Sequence, residues 1–340
     1  MASYVVGGVE GGATHTSTVL LDSDGNILAR SRGTGTNHFL LGMKECRRRI
    51  ADMINVAKKE AGLSEDVPLI ALGLSLSGCE QDETNQELVR GFLEAYPNLS
   101  ERYAIGSDSE GSVACISSKG GVTCIAGTGS NTILINPDGT KEQCGGWGHL
   151  LGDAGSAYGI SFEAVKLYFD DHDGFRKAPH STECLWNAIQ EHFGVTTHWD
   201  LLPHFYTNFK KDYIAALCKK LSICASEGDE LCKLFFRKAG SDLACAISVV
   251  VKKASKELFD RESGLQVLCV GSVWLSWDLL KEGFISWIEE HTDIQQLSLV
   301  KIATTLATGA AYMAADRLHI QLPRSYKQNC QEFYRYTRQP

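Results

Sequence analysis

Two short glycine-rich turns are the residues of this sequence whose types and spacing could bind phosphate. The first lies in VEGGAT, Val9 to Thr14, and the second is Gly127 to Ser130 in AGTGSN. Glycine lets the backbone approach a ligand without a Cβ atom, so that several N–H groups can converge on one anion. The first turn is not followed by the Lys-Ser/Thr and helix of a mononucleotide P-loop, nor by the helix of a dinucleotide fold. One such turn is weak evidence for a phosphate site, but two could bind a polyphosphate from both sides.

The segment around the second turn repeats the plan of the chain's beginning. Each turn follows one apolar strand and precedes another, and the second strand ends at an Asp-Gly hairpin. The spacing agrees, since Asp24 lies ten positions after Thr14 and Asp138 lies ten positions after Thr128. A duplicated unit of this kind predicts two related α/β lobes that face one another. A chance likeness of two hairpins is the alternative.

Hydrophobic periodicity and turn residues place these turns on a scaffold of strands and helices. Besides the strands of the second repeat, the predicted strands are 15–21, 26–30, 68–77, 103–106 and 265–270. The predicted helices are 42–62, 86–96, 156–169, 182–193, 205–226, 230–256 and 303–318. This mixture indicates an α/β protein without a linker or a solenoid repeat.

Length and charge limit the function classes. At 340 residues the chain is long enough for two domains, each with its own core. A formal net charge of −8, with no basic run beyond Arg47 to Arg49, argues against nucleic acid or an anionic membrane as a partner. An apolar run such as Cys245 to Val251 is about a third of a membrane span, and Met1 to Gly8 has no signal-peptide pattern. We expect a cytoplasmic protein with no nucleic-acid or membrane partner.

Twelve cysteines raise the question of disulfides or a metal site. No Cys-x-x-Cys pair exists, and the tightest cluster, Cys218, Cys224 and Cys232, has spacings of six and eight residues, which match no common zinc module. Most cysteines lie in apolar segments, where a free thiol behaves as a small hydrophobic side chain. We expect reduced thiols in the core.

Five motifs together resemble the sugar kinases of the actin–hexokinase superfamily, and within it the eukaryotic N-acetylglucosamine kinases. In chain order they are VEGGAT, SDSEG, AGTGSN, GGWGHLLGDAGS and CVGSVW. The resemblance extends along essentially the whole chain. It implies an α/β fold of two ribonuclease-H-like (actin-like ATPase) lobes with a cleft between them.

The resemblance also implies where the two lobes divide. Residues 1–117 would form a small N-terminal lobe with the first phosphate turn and the catalytic Asp108. Residues 118–340 would form a large C-terminal lobe with the second phosphate turn, the sugar loop and an adenosine-binding turn. The final residues could return to the small lobe.

The activity that the resemblance implies is phosphorylation of N-acetyl-D-glucosamine by ATP and Mg²⁺. The 6-hydroxyl would be the acceptor, the product would be N-acetylglucosamine 6-phosphate for amino-sugar salvage, and the enzyme would be a homodimer. One alternative is a kinase for N-acetylmannosamine or glucosamine. Another is an ATPase of the superfamily that activates a second protein and uses no sugar. Such activators carry cysteines for a bridging iron–sulfur cluster, and no cysteine pair here suggests one.

Asp108 matches the catalytic base of these kinases. It follows the predicted strand 103–106 and precedes Gly111. Phosphoryl transfer to a sugar hydroxyl needs a carboxylate within hydrogen-bond reach, which accepts the proton as the oxygen attacks phosphorus. An Asp in a turn or at a helix N-cap is the alternative explanation.

The implied sugar site lies in the loop Gly145 to Ile160 and in two shorter segments. An aromatic ring, a carboxylate and exposed amides suit a sugar, because hydrogen bonds bind its hydroxyls and an apolar surface covers its ring. A buried Trp and a capping Asp are the alternative for the loop, and Ala154 replaces a Glu that is frequent in relatives. For Asn37 the alternative is a plain loop. Besides Asp108, the implied sugar-binding residues are Asn37, His38, Ser130, Asn131, Gly146, Trp147, Gly148 and Asp153.

The implied ATP site uses both glycine-rich turns and a third turn late in the chain. Its residues are Gly11, Gly12, Thr14, Thr128 and Gly129 at the phosphates, and Ala215, Gly271, Ser272 and Leu275 at the adenosine. A small residue such as Ala215 is more often simple helix packing, and Ala13 replaces a third glycine in the first turn. Glu10, where relatives often have Asp, would hold Mg²⁺ through water, because Mg²⁺ keeps most of its hydration.

Overall fold

A computed structural model describes residues 4–12, 14–79, 81–260 and 264–339. Its strands are β1 Val5–Gly11, β2 His15–Asp22, β3 Ile27–Thr34, β4 Ala71–Leu76, β5 Tyr103–Gly106, β6 Gly121–Ala126, β7 Ser130–Ile135, β8 Lys141–Gly145, β9 Leu265–Val270, β10 Gln296–Ile302 and β11 Cys330–Thr337. Its α-helices are α1 His38–Leu41, α2 Met43–Glu60, α3 Asp82–Ala95, α4 Asp108–Ile116, α5 Ala157–His172, α6 Glu183–Phe193, α7 Leu202–Phe205, α8 Lys211–Ser226, α9 Glu230–Val251, α10 Trp277–His291, α11 Ala307–Arg317 and α12 Tyr326–Asn329.

The chain divides into two compact units. The first unit is Met1–Gly121 with Val300–Phe333, and the second is Val122–Leu299 with Tyr334–Pro340. The division expected from the sequence, after residue 117, lies four residues before the break after Gly121, at the start of β6. A late segment was expected to return to the first unit, and the segment that does so is Val300–Phe333, whereas the last residues belong with the second unit.

The first unit contains a five-stranded sheet in the order β3-β2-β1-β4-β5. β2 pairs antiparallel with β1 and with β3, whereas β1, β4 and β5 run parallel. All six residues of β4 are buried, as expected for a central strand whose two faces are both covered. The carboxyl ends of the three parallel strands therefore lie at the same end of the sheet.

Helices cover both faces of this first sheet. On one face, Ile54 of α2 and Phe92 of α3 join the core that contains Val9 of β1. On the other face, α11 supplies alanines to a second core cluster. α11 can approach closely because it meets glycine, and a Cβ atom on Gly8 would lie only 2.7 Å from the amide nitrogen of Ala311. This close packing explains why a segment from late in the chain belongs to the first unit.

The second sheet has six strands in the order β11-β10-β9-β6-β7-β8. Five of them, β8-β7-β6-β9-β10, repeat the order β3-β2-β1-β4-β5 of the first sheet. The directions agree as well, because β6 is parallel to β9 as β1 is to β4, and β7 is antiparallel to β8 as β2 is to β3. The duplication predicted from the two glycine-rich turns is present.

Several elements differ from the sequence-based prediction, and α4 and α10 lie outside the predicted helices. The helix predicted over 205–226 begins only at Lys211, because Tyr206, with φ −124° and ψ −94°, ends the short α7. β10 and β11 lie outside every predicted strand. Their position depends on pairing with other strands of the second sheet, which no local sequence pattern indicates.

The structure also bears on the cysteines and on membrane insertion. All twelve cysteines are free of disulfide bonds, and seven of them are buried. Among the helices of the described residues, none combines the length and the apolar character needed to cross a bilayer.

Candidate active site

Glu10 and Asp108 lie at the same end of the first sheet. The strand registers pair Glu10 with Ser75 and Ser75 with Gly106. Glu10 is therefore near the end of β1, and Asp108 follows directly after the end of β5. The carboxyl ends of parallel strands are where open α/β sheets bind ligands.

Asp108 is the first residue of α4, and it does not cap that helix. Ser107 is the N-cap and forms a capping box with Glu110, in which the Ser107 amide donates a hydrogen bond of 2.9 Å to Glu110 Oε2. The alternative explanation of Asp108 as an N-cap is therefore wrong. Its side chain lies at the end of α4 where the helix dipole stabilises negative charge, and Ser109 Oγ donates to Asp108 Oδ1 over 3.1 Å.

The start of α4 is fixed to the central strand β4. Ser75 Oγ donates a hydrogen bond of 2.9 Å to the carbonyl oxygen of Ser107. α4 lies so close that a Cβ atom on Gly111 would be 2.6 Å from the Ser75 Cβ. Ser112 Oγ donates to the Asp108 carbonyl oxygen over 2.8 Å. These contacts hold the backbone of Asp108 in place.

The electrostatics of Glu10 suit a nearby cation. Burial raises the pKa of Glu10 to about 7, and the negative charge of Asp108 acts in the same direction. Two carboxylates that repel one another leave excess negative charge, which a hydrated Mg²⁺ would neutralise. Over the described parts of the chain, no group of three or more His, Cys, Asp and Glu side chains is arranged to hold a metal directly.

The first glycine-rich turn is tied to the loop that precedes α1. Gly12 N donates a hydrogen bond of 2.9 Å to the His15 carbonyl oxygen, and Thr36 N donates to the Gly12 carbonyl oxygen over 3.0 Å. The Thr16 and Thr36 hydroxyls are also 3.0 Å apart. Thr14 is exposed, and Ala13 lies outside the described residues. The turn therefore lies next to the segment that contains Asn37.

Asn37 and His38 have different environments. Asn37 is half-buried and caps α1, since its Oδ1 accepts a hydrogen bond of 2.9 Å from Phe39 N. His38 is buried, and its ring lies 4.2 Å from the Phe39 ring. A buried imidazole presents little surface to a sugar, so His38 supports this loop from within the unit while Asn37 remains partly accessible.

The second glycine-rich turn rests on the start of α5. Gly127 N donates to the Gly129 carbonyl oxygen over 2.9 Å, which closes the turn. Ala157 N donates to the Gly127 carbonyl oxygen over 2.9 Å and Tyr158 N to that of Thr128 over 3.3 Å. Thr128 is exposed at the tip. The first amides of α5 thus fix the turn and leave its own tip accessible.

Asp153 is held inside the second unit by an ion pair that the sequence did not predict. Its side chain is only 3% exposed, and Oδ2 lies 2.6 Å from Nζ of Lys211. Its Oδ1 accepts a hydrogen bond of 3.0 Å from Ser130 N. The cap of α5 is Ser156, which accepts from Gly159 N over 3.0 Å, so the alternative of Asp153 as the capping residue is wrong. Asp153 links the second turn to α8.

The loop between β8 and α5 exposes its apolar side chains. Trp147 is 70% exposed, so the alternative of a buried Trp is wrong. Gly146 N donates to the Ser130 carbonyl oxygen over 3.1 Å, which ties the loop to β7, where Asn131 pairs with Gly145. Gly148 has a φ of +77°, and the described residues leave open space on the side where a Cβ atom would lie. An exposed indole beside the second turn is an apolar surface that a ligand can cover.

Gly271, in the turn predicted to bind adenosine, directly contacts the second glycine-rich turn. Gly271 has φ +109° and ψ 162°, and a Cβ atom there would clash with the Ala126 carbonyl oxygen and lie 2.7 Å from Gly127 N. Ser272 and Leu275 follow it and are both exposed. Ala215, by contrast, is buried in α8, and its carbonyl oxygen accepts from Ser161 Oγ. Ala215 thus packs inside the second unit.

A sequence profile decides the family. The profile of the BadF/BadG/BcrA/BcrD ATPase family matches residues 8–314. The chain belongs to this ATPase family. The N-acetyl-D-glucosamine kinase of Dictyostelium discoideum is 28% identical over 329 residues, which are 93% of this chain and 99% of that protein. The N-acetylmuramic acid/N-acetylglucosamine kinase of Clostridium acetobutylicum is 24% identical over 256 residues, or 75% of this chain and 81% of that protein.

Solved structures share the fold of this family member. The crystal structure of a proposed N-acetylglucosamine kinase from Chromobacterium violaceum covers 92% of this chain and 99% of its own, with a TM-score of 0.69 and 24% identity. The resemblance found in the five motifs and the predicted fold class, α/β with two actin-like lobes, are confirmed. The family is one of ATPases, so ATP is the nucleotide.

Several contacts in this ATPase were not visible in the sequence. Lys211 is the main one, because the predicted helix start at 205 placed it inside a helix and not at its beginning. If the helix had been predicted to begin at Lys211, the sequence would have shown a cation at a helix N-terminus. The helix dipole disfavours a cation there, so this position is a detectable signal. Ser75 and Glu110, which fix the position of Asp108, carry no local signal beyond the Ser-x-x-Glu spacing of Ser107 and Glu110.

Proposed function

We propose that this chain is an ATP-dependent kinase that transfers a phosphoryl group to the 6-hydroxyl of N-acetylglucosamine. The observation that carries the proposal is the placement of the Asp108 carboxylate at the first turn of α4, on the same end of the sheet as the first glycine-rich turn. The Dictyostelium and Clostridium relatives, which bear the names of amino-sugar kinases, support the choice of acceptor.

In this proposal Asp108 is the base. Its carboxylate accepts the proton of the 6-hydroxyl while that oxygen attacks the terminal phosphorus of ATP, and the phosphorus–oxygen bond to ADP breaks. The turn of Gly11, Gly12 and Thr14 binds phosphate oxygens at its exposed residue Thr14, because the Gly12 amide already donates to the His15 carbonyl oxygen. The backbone amides of Thr128 and Gly129 form a second phosphate-binding turn. Glu10 would hold Mg²⁺ through water, and the ion would supply charge neutralisation at the phosphates.

The remaining residues bind the two substrates. Asn37, Ser130 and Asn131 offer hydrogen bonds to sugar hydroxyls, and the loop with Gly146, Trp147 and Gly148 offers amides and an apolar surface. Asp153, held by Lys211, shapes the second turn. Gly271, Ser272 and Leu275 bind adenosine, whereas Ala215 is buried in α8. A cytoplasmic homodimer is part of the same proposal.

A panel of sugars tests the proposed function directly. ADP release by the purified chain should depend on N-acetylglucosamine and be slower with N-acetylmannosamine, glucosamine and glucose. Faster ADP release with N-acetylmannosamine or glucosamine would assign a different acceptor sugar to an enzyme of the same class. ATP turnover that is indifferent to every sugar would instead identify an ATPase without a sugar acceptor.

Glu10 should make Mg²⁺–nucleotide binding depend on pH. Because the pKa of Glu10 is about 7 in the metal-free protein, the group must lose a proton before a cation can pair with it below that pH. We expect the affinity for Mg²⁺ with a non-hydrolysable ATP analogue to rise by up to about tenfold per pH unit below 7, the limit for one released proton, and then to level off. Calorimetry from pH 5.5 to 8 measures this.

Glu10→Gln is the control, because it removes this proton and leaves the titration of the nucleotide itself.

Glu10 should also make the stability of the parent chain depend on pH, and Glu10→Gln should lack this dependence. The folded chain holds the Glu10 proton up to about pH 7, whereas the unfolded chain releases it near 4.5, so Glu10 lowers the free energy of unfolding as pH rises between those values. Parallel pH curves for the parent and Glu10→Gln, in both experiments, would contradict the prediction.

Trp147 should select the acetamido group. Trp147→Ala removes an exposed apolar wall, which should cost about 1 to 3 kcal/mol for N-acetylglucosamine and much less for glucose, and so narrow the preference by about ten- to a hundredfold. The ratio of kcat/KM for N-acetylglucosamine to kcat/KM for glucose, compared between the parent and Trp147→Ala, tests this prediction. Trp199→Ala is a matched control, because Trp199 lies in the same unit outside this loop and is 79% exposed. Equal losses for both sugars in Trp147→Ala would mean that Trp147 does not recognise the acetamido group.

A further inference from the structure

The ion pair between Lys211 and Asp153 is buried on one side only. The Asp153 side chain is 3% exposed and that of Lys211 is 31% exposed, and Nζ lies 2.6 Å from Oδ2. Removal of one partner from such a pair leaves a buried charge without compensation, which is far more costly than the loss of a surface ion pair. Lys211 therefore compensates the charge of the buried Asp153 carboxylate.

The same ion pair touches the backbone of the second glycine-rich turn. Ser130 N donates to the other oxygen of Asp153, Oδ1. A Cβ atom on Gly129 would lie 2.6 Å from Asp153 Oδ1 and 2.9 Å from Lys211 Nζ. Only glycine leaves room for both charged groups at this point. The backbone of the turn is therefore in direct contact with the ion pair.

Three locally unfavourable features meet here. Lys211 is the first residue of α8, where the helix dipole disfavours a cation. Asp153 has a φ of +68°, one of only two positive values among the non-glycine residues that the structure describes. Its carboxylate is also removed from water. Strained residues of this kind persist where the surrounding structure holds them, and they cluster at functional sites.

We propose that Lys211 is a positioning residue for phosphoryl transfer. Its ammonium group holds the Asp153 carboxylate charged and in place, and that carboxylate holds Ser130 N and so sets the shape of the turn from Gly127 to Ser130. The inference rests on the proposed function, in which this turn binds the phosphates of ATP. In this inference Asp153 holds the turn in place through its hydrogen bond from Ser130 N, in addition to any contact with sugar.

Lys211→Met should lower kcat/KM for ATP by about ten- to a hundredfold, the effect of a catalytic element displaced by about 1 Å. Lys211→Arg, which keeps the positive charge, should retain most of the parent activity.

Lys220→Met is the matched control. Lys220 lies on the same helix and its side chain is also 31% exposed, but its carboxylate partner, Glu191, is 74% exposed. This variant should keep the parent kcat/KM, because a surface ion pair contributes little. Asp153→Asn combined with Lys211→Met replaces the pair with neutral groups, and its loss should be smaller than the sum of the losses of the two single variants.

Affinity for a non-hydrolysable ATP analogue, measured by calorimetry, provides a readout that needs no sugar. We expect Lys211→Met to weaken it about tenfold or more, and Lys211→Gln offers a second neutral variant if Lys211→Met does not fold. Analogue affinity and kcat/KM equal to those of Lys220→Met would overturn the role of Lys211. If the parent phosphorylates no amino sugar, the proposed function fails, whereas the analogue affinities still decide the role of Lys211.

Discussion

Asp108→Asn should lower kcat by about two to four orders of magnitude, the usual contribution of a positioned general base. The amide cannot accept the proton of the sugar hydroxyl, while its size and its place at the start of α4 stay the same. Ser107 and Glu110 continue to cap the helix, so stability should change little. Affinity for N-acetylglucosamine should change far less than kcat. Steady-state kinetics and calorimetry on the same preparation measure the two quantities.

Asp82→Asn is the control for this variant. Asp82 is the first residue of α3 in the same unit, so it has the same position relative to a helix dipole, but it is not at the end of β5. Its replacement should leave kcat unchanged. If Asp108→Asn retains more than about half of the parent kcat, Asp108 is not the base, and its carboxylate serves only to stabilise the start of α4.

Gly271→Ala should destabilise the second unit and weaken ATP binding. The φ of +109° and ψ of 162° at Gly271 lie in a region that is essentially restricted to glycine, at a cost of roughly 1 to 3 kcal/mol for other residues. The new Cβ would also clash with the Ala126 carbonyl oxygen and crowd Gly127 N, which adds roughly 1 to 3 kcal/mol of overpacking. The free energy of unfolding in urea should therefore fall by about 2 to 6 kcal/mol, the sum of these two ranges.

The effect on ATP follows from the contact between the two turns. Relief of the clash requires the segment at Ala126 and Gly127 to move, and the second glycine-rich turn moves with it. KM for ATP should rise more than KM for the sugar. Gly139→Ala is the matched control, because Gly139 also has a positive φ, +84°, but a Cβ atom there would have no atom of the described residues within 4 Å. Equal losses of stability in the two variants would show that backbone strain alone, without the clash, explains the effect at Gly271.

Local patterns in the sequence were sufficient for the parts of the site that depend on neighbouring residues. The two glycine-rich turns, the Asp-Gly hairpins and the strand before Asp108 are all short-range signals, since turn chemistry and strand alternation extend over only a few residues. The repeat of these signals at equal spacing predicted two related units, and the strand orders of the two sheets agree with that prediction.

Contacts between distant segments were decided only by the tertiary structure. α11 returns to the first sheet because Gly8 and its alanines permit close packing, which no window around residue 307 can indicate. Lys211 meets Asp153 because α8 starts six residues later than its hydrophobic pattern suggests, and because the second turn brings Ser130 to the same carboxylate. The amino-acid sequence by itself determined which residues could do the chemistry, through short-range periodicity and turn preferences. The burial, pairing and pKa values of those residues depend on which long-range neighbours remove them from water, and those neighbours exist only in the folded chain.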